Sequence, residues 1–262
     1  MRSAGLTYAA DGTVAWDKIW GSFCNLAMAG GPPHKGALLE PGTRAAIDSD
    51  SDRYDQVVDE ICRGITLATD LQAGPSPIPG WMRVVCYSDT MAGWLRRAIT
   101  MENISVRCDG LALDLPAAPG FRLEKEIKNV ITVVAKTSHY WLGHMPTSQK
   151  RSIAILFETS AGDSPLIAPE PGSDRAPWAE RIHQQTGLSV TADRCSGWLG
   201  VGCPSVGAAV WMMRALVALN VLSRREETTL FVPVNPGSDP DGDAVVKAVS
   251  RVHRLAGVRN LL

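Results

Sequence analysis

Two cysteines stand in matching local settings, and the setting is one in which a thiol can react. Cys86 ends an apolar run that starts at Trp81, and Ser88 follows it at one remove. Cys203 ends a second run that starts at Trp198, and Pro204 and Ser205 follow. A serine after a strand is a natural helix N-cap, so each thiol is expected just before a helix start. The unpaired N–H groups there favour a thiolate, or hold the carboxylate or phosphate of a ligand. Two such thiols facing one carbon from opposite sides would serve as base and acid. The plainer alternative is that Cys86 and Cys203 are small apolar residues buried at packed strand ends.

The stretch after each cysteine carries a second shared pattern, Trp-x-x-Arg-Ala-x4-Asn-x3-Arg. It reads Trp94, Arg97, Asn103, Arg107 in one place and Trp211, Arg214, Asn220, Arg224 in the other. On a helix the Trp and Ala share a packing face. The Asn suits a C-terminal cap, and the last Arg suits the negative end of the helix. The functional alternative makes Arg97, Arg107, Arg214 and Arg224 clamps for a small anionic molecule, helped by Ser88 and Ser205.

Other candidates are weaker. Gly30 to Gly36 carries His34 and Lys35 on a stiff loop that could line a site, but it lacks the ending and strand context of a phosphate loop. His139 and His144 are five apart, which on an α-helix puts them roughly 140° apart, so no metal is expected there. Asp239 to Asp243 lacks the downstream Glu of a calcium loop and reads as a turn before a helix. Neither a Gly-x-Ser-x-Gly elbow nor a GxGxxG fingerprint occurs, and no cofactor is implied.

The repetition extends well beyond these motifs. Shifting the chain by 117 positions aligns 80–116 with 197–233 without a gap and matches thirteen of 37 residues. Two Trp pairs and one Cys pair, Cys86 with Cys203, are among them. Chance alone gives roughly two or three matches. The expectation is an internal tandem duplication: repeat 1 over 1–120, repeat 2 over 121–262, and a shared linker helix near 123–144. The two repeats would form one pseudo-two-fold globular body, as in a fused homodimer, with a cleft between them. None of the other cysteines (Cys24, Cys62, Cys108, Cys195) has a cysteine partner at this shift, and no CxxC is present.

Duplication with a cysteine in each half resembles the cofactor-independent racemases of the diaminopimelate epimerase type. The resemblance implies acid–base isomerisation by Cys86 and Cys203. This chain departs from that pattern, with Tyr87 and Pro204 where those enzymes place glycine.

The elements that must position these residues follow from periodicity and breakers. Helical spacing runs over Val14 to Ala29, Asp52 to Leu71, Ser88 to about Ile104, Leu123 to His144, Trp178 to Gln185, Ser205 to Leu222 and Asp243 to Leu255. Strands are expected at Gly36 to Leu39, Trp81 to Tyr87, Leu111 to Leu115, Ser152 to Glu158, Trp198 to Cys203 and Thr228 to Val234. Gln72 to Gly80 reads as a Pro/Gly loop. Each half is then α-β-α-β-α-β, an α/β (or α+β) fold with helices covering the sheets.

Composition bounds the rest. Hydrophobic content of 45%, charged content of 20% and a net charge of −1 are ordinary for a globular chain. No basic stripe invites nucleic acid. Val206 to Leu222 is interrupted by Arg214 and Asn220 and is too short to span a bilayer. The start of the chain holds no signal-peptide-like run, so a cytoplasmic location is expected, with an oligomer possible. Three functions stay open. One is a small-molecule enzyme with cysteine-dependent isomerase chemistry. The second is a non-catalytic ligand- or cofactor-binding protein with a Trp-rich cleft. The third is an assembly partner that uses a symmetric surface.

Overall fold

The structure, a computed structural model, describes residues 5–18, 36–163, 166–172, 176–192 and 195–262. Its contacts divide the chain into two compact units, Met1–Arg151 and Ser152–Leu262. The segment 123–144 therefore lies in the first.

In the first unit Thr43 caps α1 (Arg44–Ser49) by accepting a hydrogen bond from Ala46 N. Helix α2 (Ser51–Thr69) follows and buries Val57, Val58, Ile61, Gly64 and Ile65, which recur at helical spacing. It ends where Asp70 turns left-handed. Then come β1 (Gln72–Pro75), β2 (Trp81–Val85), α3 (Asp89–Met101), β3 (Arg107–Asp109) and β4 (Ala112–Pro116). All pairings are antiparallel, in the order β1-β2-β4-β3. Met82 and Val84 lie opposite Leu115 and Leu113 and are buried with them. Fully burying such a side chain contributes roughly 1.5–3 kcal/mol. The other sheet face pairs Arg83 with Asp114 at 2.7 Å. Helix α4 (Lys128–His139) packs on α2 and α3 and is flanked by the π turns Leu123–Ile127 and Tyr140–His144.

After α5 (Thr147–Asp163), the second unit runs α6 (Ala176–Thr186), β5 (Val190–Ala192), β6 (Trp198–Gly202), α7 (Val206–Ala218), β7 (Arg224–Glu226), β8 (Thr229–Pro233) and α8 (Asp243–Val258). Its sheet is also antiparallel, in the order β5-β6-β8-β7. Trp198 faces Pro233 in β6/β8, as Trp81 faces Pro116 in β2/β4. Asn103 and Asn220 both turn left-handed after the helix, at φ 61 and 59. Each unit adds one isolated parallel bridge beyond that turn, Leu39 to Ile104 and Ile167 to Val221. Helices α6 and α7 pack on α8.

The architecture is therefore α+β, with two four-stranded antiparallel sheets, and not a set of strands alternating with crossover helices. Four short edge strands (β1, β3, β5, β7) supply what the alternating reading lacked. Segment 152–158 belongs to α5, not to a strand: its apolar residues fit either period, and neither Gly nor Pro interrupts 147–161. Gly36 to Leu39 contributes one bridge only. Of the helix expected over 14–29, Val14 forms an isolated bridge to Tyr8, and 19–29 lie outside the described residues. Among the described residues no helix is long and apolar enough to cross a membrane.

Candidate functional site

Ser88 caps α3 by accepting from Met91 N at 3.2 Å, and Ser205 caps α7 by accepting from Ala208 N at 3.1 Å. Each cysteine thus stands two residues ahead of a helix N-cap. The local electrostatics nevertheless run against a thiolate. Cys86 is 3% exposed and Cys203 8%. Burial pushes the Cys86 thiol up to about 12, with a further push from Cys108, and burial pushes Cys203 up to about 11. Desolvation penalises the charged form of both thiols. The lowered pKa expected from the helix N-terminus is therefore absent at both cysteines. Cys203 Sγ lies 3.8 Å from Val201 O.

The shared arginines divide into two kinds. Helix α3 stops at Met101 and α7 at Ala218, so Arg107 and Arg224 open edge strands and do not sit at helix ends. Arg107 lies over the Trp81 ring at 5.5 Å, and Arg224 lies over Trp198 at 5.1 Å. Arg107 is exposed, whereas Arg224 is fully buried, bonds Glu226 at 2.7 Å and covers the Phe231 ring at 3.8 Å. Arg224 therefore serves the fold. Arg214 is exposed on α7.

Arg97 differs from all three. It is half-buried on α3 beside the half-buried Arg96, and its Nη1 donates to Gly93 O at 2.8 Å. Burial, then the neighbouring charge of Arg96, pulls Arg97 down to about 10, and burial lowers Arg96. The Arg96 Nε is buried without a hydrogen-bond partner among the described residues. The expected residues His34 and Lys35 lie outside the described residues.

One cluster was not foreseen as a unit. Trp94, one turn before Arg97, stacks on Tyr140 at 5.8 Å and meets Trp141 at 5.5 Å. Lys150 lies over the Trp141 ring at 5.8 Å. In the second unit the equivalent Trp211 is covered by Arg259 at 5.4 Å. His139 and His144, expected far apart, approach to 3.0 Å between their Nε2 atoms. The reason is the π turn, marked by the Met145 N–H bonding Tyr140 O five residues back. The wider turn carries residue i+5 back over residue i. The signal was in the sequence, as a run of aromatic and histidine residues ending at Gly143-His144, but a uniform α-helical wheel hides it.

Among the described residues, no group of three or more His, Cys, Asp or Glu side chains is placed to hold a metal. No protein family matches the chain, and neither a curated protein nor a solved structure does.

Proposed function

We propose that this protein binds a small planar anion on its first unit, between Trp94 and the Arg96–Arg97 pair of α3, without cysteine catalysis. The observation that carries the reading is the arginine pair itself. Two adjacent guanidiniums are half-buried side by side, and the charge of each is disfavoured by burial. A carboxylate or phosphate between them would relieve that cost and accept fork-like hydrogen bonds. The stacked rings of Trp94 and Tyr140, one turn from Arg97, form an aromatic wall against which the rest of the molecule can pack.

We further propose that the two sheets, with the helices that follow their second strands, belong to diverged copies of one α+β repeat, over 1–120 and 121–262. The thirteen shared residues, the identical strand order and the matched register support it. On this reading only the first copy keeps the binding face. The second has Met213 in place of Arg96, an exposed Arg214, and Arg259 over its Trp211.

The test is tryptophan quenching with two probes, 2-naphthoate and adenosine monophosphate. Saturable quenching by either, lost in Arg96→Met with Arg97→Ala and kept in Cys86→Ser and Cys203→Ser, is the expected result. No saturation by either probe in the millimolar range overturns the reading. Cysteine-dependent isomerisation is the second reading, favoured by the matched placement of Cys86 and Cys203 ahead of capped helices. It requires exchange of a substrate α-proton in deuterated water that vanishes in Cys86→Ser and Cys203→Ser. Its obstacle is that thiols near 12 and 11 stay protonated at neutral pH.

A further inference from the structure

We infer that the π turn at the end of α4 makes His139 and His144 a two-imidazole site for a divalent transition-metal ion. This assignment stands on the imidazole geometry alone and does not depend on anion binding at α3.

Both rings are exposed, so a hydrated cation reaches them without opening the core. Their Nε2 atoms are 3.0 Å apart, and the ring centroids are 4.9 Å apart at an interplanar angle of 63°. Nε2 is the outermost nitrogen of each ring. If the rings met end to end through that contact, their centroids would stand about 5.3 Å apart. If both aimed at one metal ~2.05 Å from each nitrogen, they would stand about 4.7 Å apart, with an N–metal–N angle of roughly 95°. The observed 4.9 Å is nearer the chelating value.

The 3.0 Å separation of the nitrogens also bears on which ion fits. Tetrahedral zinc spreads two imidazole nitrogens to roughly 3.3 Å, whereas cis positions of a square-planar or octahedral ion bring them to about 2.9 Å. Cu(II) and Ni(II) take such cis nitrogen pairs, with water in the remaining positions. The backbone geometry that makes the pair is unusual: an α-helical turn holds i and i+5 apart, and here the π turn is pinned by the Met145-to-Tyr140 hydrogen bond. Tyr140 lies alongside His144, with centroids 6.4 Å apart, and its stacking on Trp94 anchors the turn to α3. The imidazole pair is thus held together before any metal arrives, which lowers the ordering cost of binding; the proton shared by the two Nε2 atoms moves to Nδ1 or to water as the ion binds.

The test is titration of the full chain with NiCl2 and CuCl2 alone, read by calorimetry and, for copper, by electron paramagnetic resonance. One equivalent is expected to bind with micromolar affinity, with nitrogen hyperfine structure from two imidazoles. His139→Ala and His144→Ala should each weaken it at least about tenfold, while His183→Ala and His253→Ala leave it unchanged. Circular dichroism of the variants checks the fold, and His144→Asn, which keeps a polar side chain on the turn, supplies a second variant. Absence of binding at millimolar metal overturns the assignment. So does binding of equal strength in both alanine variants, which would place the ion elsewhere.

Discussion

The guanidinium of Arg224 lies 3.8 Å above the centre of the Phe231 ring, in a fully buried position. Its counterpart in the first sheet, Arg107, is exposed over Trp81. The neighbouring cross-strand pair differs in step: Arg83 opposite Asp114 in one sheet, Gly200 opposite Phe231 in the other. Gly200 leaves room for the ring, because a Cβ there would stand 3.2 Å from Phe231 Cε1. The two arginines share a pattern but not a burden.

Arg224→Ala should therefore destabilise the protein by about 2–3 kcal/mol, since it empties a buried site and strands the partly buried Glu226. Arg107→Ala should change stability by less than about 0.5 kcal/mol, as expected for an exposed side chain. Urea unfolding of both variants measures the contrast. Equal effects would show that the two positions carry similar loads. Arg224→Lys should not rescue, because an ammonium cannot lie flat on Phe231 while bonding Glu226.

Gly80 and Gly197 are each expected to reject a side chain. Both have positive φ, 87 and 82. A Cβ on Gly80 would meet Gly42 O at 2.6 Å, and one on Gly197 would meet Glu170 O at 2.9 Å. The close approach is fixed by hydrogen bonds, Ala117 N to Gly80 O with Gly42 N to Ala117 O, and Val234 N to Gly197 O with Glu170 N to Val234 O. The obstacles are backbone atoms and cannot swing away. Gly80→Ala and Gly197→Ala should each cost roughly 2–3 kcal/mol in chemical denaturation.

How much of this was readable in the sequence depends on how local each cause is. Helices α2, α3, α7 and α8 and strands β2, β4, β6 and β8 were legible because their burial patterns repeat within a few residues. The edge strands were not. Gln72–Pro75 contains Gly74 and Pro75 and reads as loop, yet an outer strand tolerates a proline that an inner one would not. Arg107–Asp109 and Arg224–Glu226 are three residues long and mostly charged, and exist only because β4 and β8 present partners. The serine caps and the left-handed asparagines were legible because capping is a local matter. The thiol electrostatics were not, because burial comes from side chains distant in sequence. The histidine pair was hidden by a change of helical pitch that no wheel of constant angle can represent.

The thiols give a pH-dependent prediction. In the unfolded chain a thiol ionises near its ordinary value of ~8.5. In the folded protein Cys86 and Cys203 hold their protons to about 12 and about 11. Folding therefore favours the protonated form. That contribution is complete below the unfolded value and is lost as the pH rises from there through 11 and 12. Stability measured between pH 8 and 10.5 should fall, and Cys86→Ala with Cys203→Ala should flatten the fall. At pH 7.5 iodoacetamide should leave both residues unmodified until denaturant is added, as mapped by peptide mass. Rapid native labelling of either would mean a reactive thiol and would revive the isomerase reading.

Asn103 and Asn220 turn the chain out of α3 and α7 with φ of 61 and 59, a region that Asn and Gly enter more easily than other residues. The turn has a purpose in both units. It aims the Asn103 carbonyl at Leu39 N and the Asn220 carbonyl at Ile167 N, and so starts the single parallel bridge that fastens the preceding segment. Asn103 also donates from Nδ2 to Gly36 O at 2.8 Å. Glycine at 103 keeps the backbone turn and loses that bond, so Asn103→Gly should cost about 1 kcal/mol. Asn103→Val loses the bond and forces a β-branched residue into the left-handed region, so it should cost roughly 3 kcal/mol. The same pair of substitutions at Asn220 should keep that order. Amide exchange at Leu39 and Ile167 reports the cause: the valine variants should speed it far more than the glycine variants, because the carbonyl that each N–H needs is no longer held in place.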